Sequence, residues 1–279
     1  MGLVPITDLL KKARENDYAL GGFNVVNLET LQAVVEASEA ENTPALIQVY
    51  HGDLDHAGLA YIVAMAQAAA ADSRIPVALQ LDHGQSYEQA VACIEAGFSA
   101  VMIDLSSADF NENIRSTKAV VEVARSRGVS VEAELGKIAD ASAPVEERNS
   151  GMTDPELAVT FVKETGVDAL AVSVGTAHGI YSSNPVIDYP RLERLVREVP
   201  VPIVVHGGSN TPDEDIRKIV KLGVAKVNIG TDLMNGFISG IRDELNSAGD
   251  LTLRGIMEHA RNNTRAIVRQ KIRLLNSYR

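Results

Sequence analysis

Apolar residues in this chain gather into short runs that recur along its length. "ALGGFNV" (19–25), "PALIQVY" (44–50), "PVALQLD" (76–82), "SAVMID" (99–104), "VSVEAEL" (129–135), "DALAVSV" (168–174), "VPIVVHG" (201–207) and "AKVNIG" (225–230) are rich in Val, Ile, Leu and Ala. Their length and composition predict strands, and their nearly unbroken apolar character predicts a parallel sheet covered on both faces. The intervening stretches carry helical spacing and helix punctuation, as in "NLETLQAVVEASEAEN", "SYEQAVACIEAG" and "TPDEDIRKIVKLG".

Eight strand-then-helix units follow one another with no linker or low-complexity break. That pattern predicts an α/β protein of the (β/α)8 TIM-barrel type, one domain over residues 1–279. A doubly wound sheet calls for a glycine-rich turn after its first strand, and no strong G-x-G-x-x-G stands there. The C-terminal "LRGIMEHARNNTRAIVRQKIRLLNSYR" reads as a basic amphipathic helical extension packed on the barrel. One irregular stretch, Gly136 to Pro155, follows the fifth strand and has the length of a lid or binding loop.

Composition narrows the function classes. Of 279 residues, 46% are hydrophobic and 23% charged, as in ordinary globular chains rather than disordered or membrane-spanning ones. A net charge of −11 argues against nucleic-acid and anionic-membrane partners. Cys93 is the single cysteine, which excludes an internal disulfide, and its helical surroundings predict a buried thiol. The opening "MGLVPITDLLKKAREN" turns polar within a few residues, so a cytoplasmic protein is expected.

The candidate chemistry sits where barrel enzymes keep it, at the C-terminal ends of the strands. Those ends collect Asp82 and His83, Asp104, Glu134, His178, His206 and Asn228. Three neutral imidazoles converging at one mouth suit a catalytic zinc ion with a position left open for substrate. Glu134 is a further ligand candidate, and Asp104 a ligand candidate or a partner that orients an imidazole. "GTAHG", "HGGSNTPDED" and "VNIGTD" add small residues and hydroxyls at the last three strand ends. Thr211 is expected to cap a helix that starts at Pro212, with Glu214 completing a capping box. The N–H groups of that helix, with Gly207, Gly208 and Ser209, would form a phosphate site.

With these residues assembled, the chain resembles the class II, metal-dependent fructose-bisphosphate and tagatose-bisphosphate aldolases. "GGFNVVNLET", "LDHG", "AVMID", "ENIRSTK", "VSVEAELG", "TGVDALAVSVGTAHGIY", "VPIVVHGGS" and "KVNIGTD" carry the likeness through nearly the whole chain. The resemblance implies that His83, His178 and His206 hold zinc, that Glu134 lies near a second metal position, and that Asp82 handles a proton at the aldehyde end. It implies substrate contacts from Asn24, Gly179, Gly207, Ser209, Asn228, Gly230 and Thr231. Carbonyls near Gly179 and Gly207 would hold a monovalent cation, Na+ or K+. A homodimer or homotetramer is implied, with Arg254 reaching the acceptor phosphate of a phosphorylated sugar from a neighbouring subunit.

Departures fall at the aldehyde end. Leu105 stands where relatives commonly have glycine, and Tyr50-His51 where a serine-glutamate pair often follows strand two. His51 is expected to be a loop or substrate contact rather than a fourth ligand. The lid lacks the usual glycine pair, leaving Glu146 and Glu147 as its candidate proton carriers. Two other readings compete with the zinc aldolase. A Schiff-base aldolase needs a desolvated lysine, but Lys226 reads as a strand-edge charge and Lys137 as a solvated loop charge. A catalytically silent partner subunit would not need all three histidines and Asp82.

Overall fold

The computed structural model describes residues 2–181, 183–247 and 251–277. Eight strands pair in chain order and close on themselves: β1 (Leu20–Asn24), β2 (Ala45–Tyr50), β3 (Val77–Gly84), β4 (Ala100–Ile103), β5 (Ser130–Leu135), β6 (Ala169–Val172), β7 (Ile203–Val205) and β8 (Lys226–Ile229). Every pairing is parallel, including the closing one of β1 with β8. All eight expected strands form.

Helices occupy the connections: α1 (Thr7–Glu15) before β1, α2 (Leu28–Ala40) after it, and α3 (His51–Ala57) with α4 (Leu59–Asp72) after β2. They continue with α5 (Tyr87–Ala96), α6 (Phe110–Arg127), α7 (Val145–Arg148), α8 (Pro155–Thr165), α9 (Tyr189–Glu198), α10 (Asp213–Lys221), α11 (Thr231–Leu245) and α12 (Leu253–Leu275). Several starts are written in the sequence. Asn27 and Thr30 exchange side-chain and backbone hydrogen bonds in a capping box at α2, Ser86 caps α5, and Asp154 caps α8 ahead of Pro155.

Two apolar cores result. The larger lies between the sheet and its helices, where Ile47, Leu79, Val101, Phe161 and Val205 are buried. The smaller fills the lower half of the barrel, where Leu46, Ala78, Met102, Ala171 and Val204 meet Ile6, Leu10 and Ala13. Helix α1 thus plugs the N-terminal end, leaving the opposite mouth for chemistry. The extension α12 packs on α11, α2 and β1, burying Ala260, Thr264, Val268, Ile272 and Leu275. Arg265 reaches Glu36, and Arg269 and Arg273 both reach Glu41. Cys93 is buried as expected, and burial pushes its thiol up to about 12.

Candidate active site

Strand alternation should turn neighbouring residues to opposite faces, yet Asp82 and His83 both serve the mouth. The reason is a bulge. Leu81 pairs with Val101 and Gly84 with Ile103, so β3 carries one extra residue there. His83 takes the left-handed backbone conformation, φ 50°, and swings back beside Asp82. Gly84 completes the device, because a Cβ there would lie 2.5 Å from the Met102 carbonyl oxygen.

His83, His178 and His206 converge, with candidate ligand atoms all within 4.8 Å of one another. His83 Nδ1 lies 2.6 Å from Asp104 Oδ2, and Asp104 is itself held by the backbone N–H and hydroxyl of Ser106. His206 Nε2 lies 3.2 Å from Glu132 Oε1. Each carboxylate favours a proton on the nitrogen it faces, so the other nitrogens, His83 Nε2 and His206 Nδ1, face each other at 3.0 Å. Two lone pairs that close repel unless something positive sits between them.

In the metal-free protein that something is a proton. Burial lowers the His83 pKa, but Asp82, Asp104 and Glu134 raise it further, to about 10. His178 is pushed down to about 3 by burial and by the neighbouring imidazoles, which leaves it neutral. Among the described residues Glu134 Oε2 is buried without a hydrogen-bond partner, 3.6 Å from His206 Nδ1. Burial and the Asp104 charge raise Glu134 to about 8. His83, Asp104 and Glu134 form a second group of close ligand atoms beside the first. An orphaned carboxylate oxygen and facing imidazole nitrogens fit a divalent cation.

Asp82 is fixed from two sides. Its Oδ2 accepts from Asn24 Nδ2 at 2.7 Å and its Oδ1 from Asn228 Nδ2 at 3.0 Å. Burial opposes its charge, but His83, His206, the Asn24 hydrogen bond and Lys226 outweigh burial and hold the carboxyl below its ordinary value.

A cavity of about 400 Å³ joins these groups to the last three strand ends. Gly179, Gly207, Ser209, Asn228, Gly230 and Thr231 line one part, Asn24, Asp82, His83 and His178 the centre, and Tyr50 and Asp53 another part. Gly207 has no substitute: its φ is 75°, and a Cβ would fall 2.2 Å from the Ala177 carbonyl oxygen. Gly208 is not among the lining residues; its N–H donates to the Asn228 carbonyl.

The anticipated cap is corrected here. Helix α10 begins at Asp213 with Pro212 as its cap residue and no side-chain cap. Thr211 Oγ1 instead donates to the Gly207 carbonyl at 2.8 Å, so no capping box forms with Glu214. The N-terminus opening on the cavity belongs to α11, whose Thr231 and Met234 line it and whose Asp232 N–H donates to Ser209 Oγ. The positive end of its dipole favours an anion. The Gly179 and Gly207 carbonyls each already accept hydrogen bonds, from Asn210 and from Thr211.

Other expected residues lie apart. Arg254 is exposed on α12 and lines a separate groove with Glu29, Gln32 and Arg261. His51 starts α3 with its ring 4.1 Å from that of Tyr50, outside both ligand groups. Glu146 and Glu147 are exposed on α7, while Arg148 of the same helix is buried against Ser183 and Tyr181. The lid is anchored to the site through the backbone, with the His178 N–H donating to Ala139 and the Ala141 N–H to His178. Lys137 is exposed, as expected.

Lys226 is not an edge charge. A closed barrel has no edge, and Lys226 points inward, fully buried, with Nζ against Glu132 Oε2. Gln80 Nε2 also donates to Glu132, at 3.0 Å. This polar layer of Gln48, Gln80, Glu132 and Lys226 went unread in the sequence. The signal was there: each lies two residues before a mouth residue (Tyr50, Asp82, Glu134 and Asn228), hence on the same inward face.

Comparison with known proteins decides the family. The model of the family "Fructose-bisphosphate aldolase class-II" matches residues 4–279. The chain belongs to that family. A fructose-bisphosphate aldolase of Thermus caldophilus is 38% identical over 99% of this chain and 98% of its own. One from Staphylococcus aureus is 40% identical over 88% of this chain and 87% of its own. Among solved structures, the YdjI aldolase of Escherichia coli K12 superposes with a TM-score of 0.89 at 32% identity, covering 99% of this chain and 98% of that one. This class II aldolase is therefore an aldehyde-lyase on a TIM barrel.

Proposed function

We propose that the chain reversibly cleaves a ketose 1-phosphate or ketose bisphosphate into dihydroxyacetone phosphate and an aldehyde, using a zinc ion held by His83, His178 and His206. One observation carries the reading: the ligand atoms of His83, His178 and His206 cluster within 4.8 Å of one another beside a cavity that the buried carboxylate of Asp82 and the glycine-lined start of α11 also line. A divalent ion bound there would supply Lewis-acid stabilisation of the negative charge that develops on substrate oxygens when the C–C bond breaks.

The chain's own groups do the rest. Gly179, Gly207, Ser209 and the start of α11 seat the ketose phosphate, and Asn228, Gly230 and Thr231 complete the cradle. Asp82, deprotonated and aimed by Asn24 and Asn228, takes the proton of the C4 hydroxyl in cleavage and returns it in condensation. Asp104 and Glu134 hold His83 and the buried side of the cluster.

The aldehyde end favours an acceptor other than glyceraldehyde 3-phosphate. Tyr50 and the carboxylate of Asp53 line the cavity there, and like charge opposes a second phosphate. Fructose 1,6-bisphosphate, a sugar of the fructose-bisphosphate class that the curated relatives are named for, is then cleaved poorly. The reading includes a cytoplasmic location and a homodimer or homotetramer. Arg254 is exposed away from its own cavity, as an arginine delivered to a neighbour would be, and Leu253 beside it is 74% exposed.

A retro-aldol screen of ketose 1-phosphates and bisphosphates, read as dihydroxyacetone phosphate released, tests the proposal. Activity that vanishes on metal removal and returns with zinc supports it. Activity that survives exhaustive chelation, or borohydride trapping at a lysine, overturns it. Fructose 1,6-bisphosphate turnover at rates of dedicated glycolytic enzymes overturns the acceptor assignment.

A further inference from the structure

The polar layer beneath the mouth lines no part of the cavity, yet it is built at cost. Glu132 and Lys226 are both fully buried, and burying such a pair generally stabilises a fold no better than apolar residues would. What the pair touches gives it a use. Glu132 presents Oε2 to Lys226 and Gln80, which leaves Oε1 for His206 Nε2.

His206 Nε2 has two neighbours that ask opposite things of it. Asn228 Nδ2, 3.1 Å away, can only donate, and would suit an unprotonated Nε2. Glu132 Oε1, at 3.2 Å, can only accept, and needs Nε2 protonated. The carboxylate wins, because a hydrogen bond to a charged acceptor is the stronger one and a lone pair on Nε2 would face its negative charge. Asn228 already has an acceptor of its own in Asp82.

We propose that Glu132, clamped by Lys226 and Gln80, is a positioning residue that fixes His206 in the tautomer whose Nδ1 is free to bind the metal. His83 is set the opposite way, Nδ1 toward Asp104 and Nε2 toward the cluster, so each of these two rings has its own carboxylate. Lys226, read otherwise as a Schiff-base candidate, keeps Glu132 charged and in place.

The inference rests on the three-histidine metal site proposed above, and the experiment separates the two. Glu132→Leu/Lys226→Met removes acceptor and cation together, so neither charge is stranded. Glu132→Gln/Lys226→Met keeps a neutral acceptor at the same place. Zinc and cobalt affinities of the metal-free proteins are measured by competition with a chelating dye, and folding by circular dichroism. The leucine variant should bind the ion roughly 10- to 100-fold more weakly, the range for losing a partner of a ligating histidine. The glutamine variant should recover most of that loss. Equal affinity in all three proteins, or equal weakening in both variants, overturns the tautomer assignment while leaving the metal site standing. Failure of the wild type to bind would sink the site itself. Nitrogen-15 spectra of the zinc-loaded wild type read the tautomer without altering the polar layer. One histidine, identified by its loss in His206→Gln, should show a metal-bound Nδ1 and a protonated Nε2, and the reverse pattern refutes the proposal.

Discussion

At the scale of single residues, the site is a balance of charges around the metal position. Metal-free His83 keeps its proton up to about pH 10, because Asp82, Asp104 and Glu134 outweigh burial. An ion needs that nitrogen's lone pair, so the proton must leave when it binds. Zinc uptake at pH 7.5 should therefore release at least one proton, and apparent affinity should climb by about tenfold per pH unit as pH rises toward 10. Calorimetry in two buffers of different ionisation enthalpy measures this, and uptake without proton release would contradict it. Asp82→Asn keeps shape and metal but loses the base. Its kcat should fall by about 10²- to 10⁴-fold with metal content unchanged, and a drop in bound zinc of the same size would instead place Asp82 among the ligands. Cys93, buried with its thiol pushed up to about 12, should resist thiol reagents in the native protein at pH 8 and react once it is unfolded.

Single elements show what a sequence does and does not spell out. The strands were legible because each is a continuous apolar run, and the mouth residues because a barrel's chemistry follows strand ends. The start of α10 was not, because Thr211 bonds back to the Gly207 carbonyl four residues earlier in the same loop, a contact set by the left-handed turn at Gly207 rather than by the capping pattern. The turn of His83 was equally hidden, since one extra residue in a strand leaves no mark on composition. Lys226 and Glu132 were misread or passed over because the inward face was followed only at its last position. Gly207→Ala tests the cradle at this scale. Forcing a side chain onto a φ of 75° against Ala177 should cost about 1–3 kcal/mol of stability. It should also raise KM for the ketose phosphate more than it lowers kcat, and unchanged melting and KM would count against the close approach seen there.

The whole molecule is graded from end to end. Helix α1 closes the bottom with Ile6, Leu10 and Ala13, a polar layer of Gln80, Glu132 and Lys226 fills the middle, and the metal ligands and Asp82 stand at the top. Structure and chemistry are thereby separated along the barrel axis. Leu10→Ala should destabilise by about 2–5 kcal/mol in denaturant titration while kcat of the folded enzyme stays near wild type. A large fall in kcat at temperatures where the variant is folded would show that the bottom is coupled to the mouth.

The bulge in β3 sets a stricter demand than the identity of its residues. Excising a single position from Leu81–Gly84 would leave a strand of ordinary length and nearly the same letters, yet restore strict alternation and send either the base or the ligand into the helix layer. The spelling of this motif matters less than its count, and a three-nucleotide deletion there should silence the enzyme while its barrel still closes.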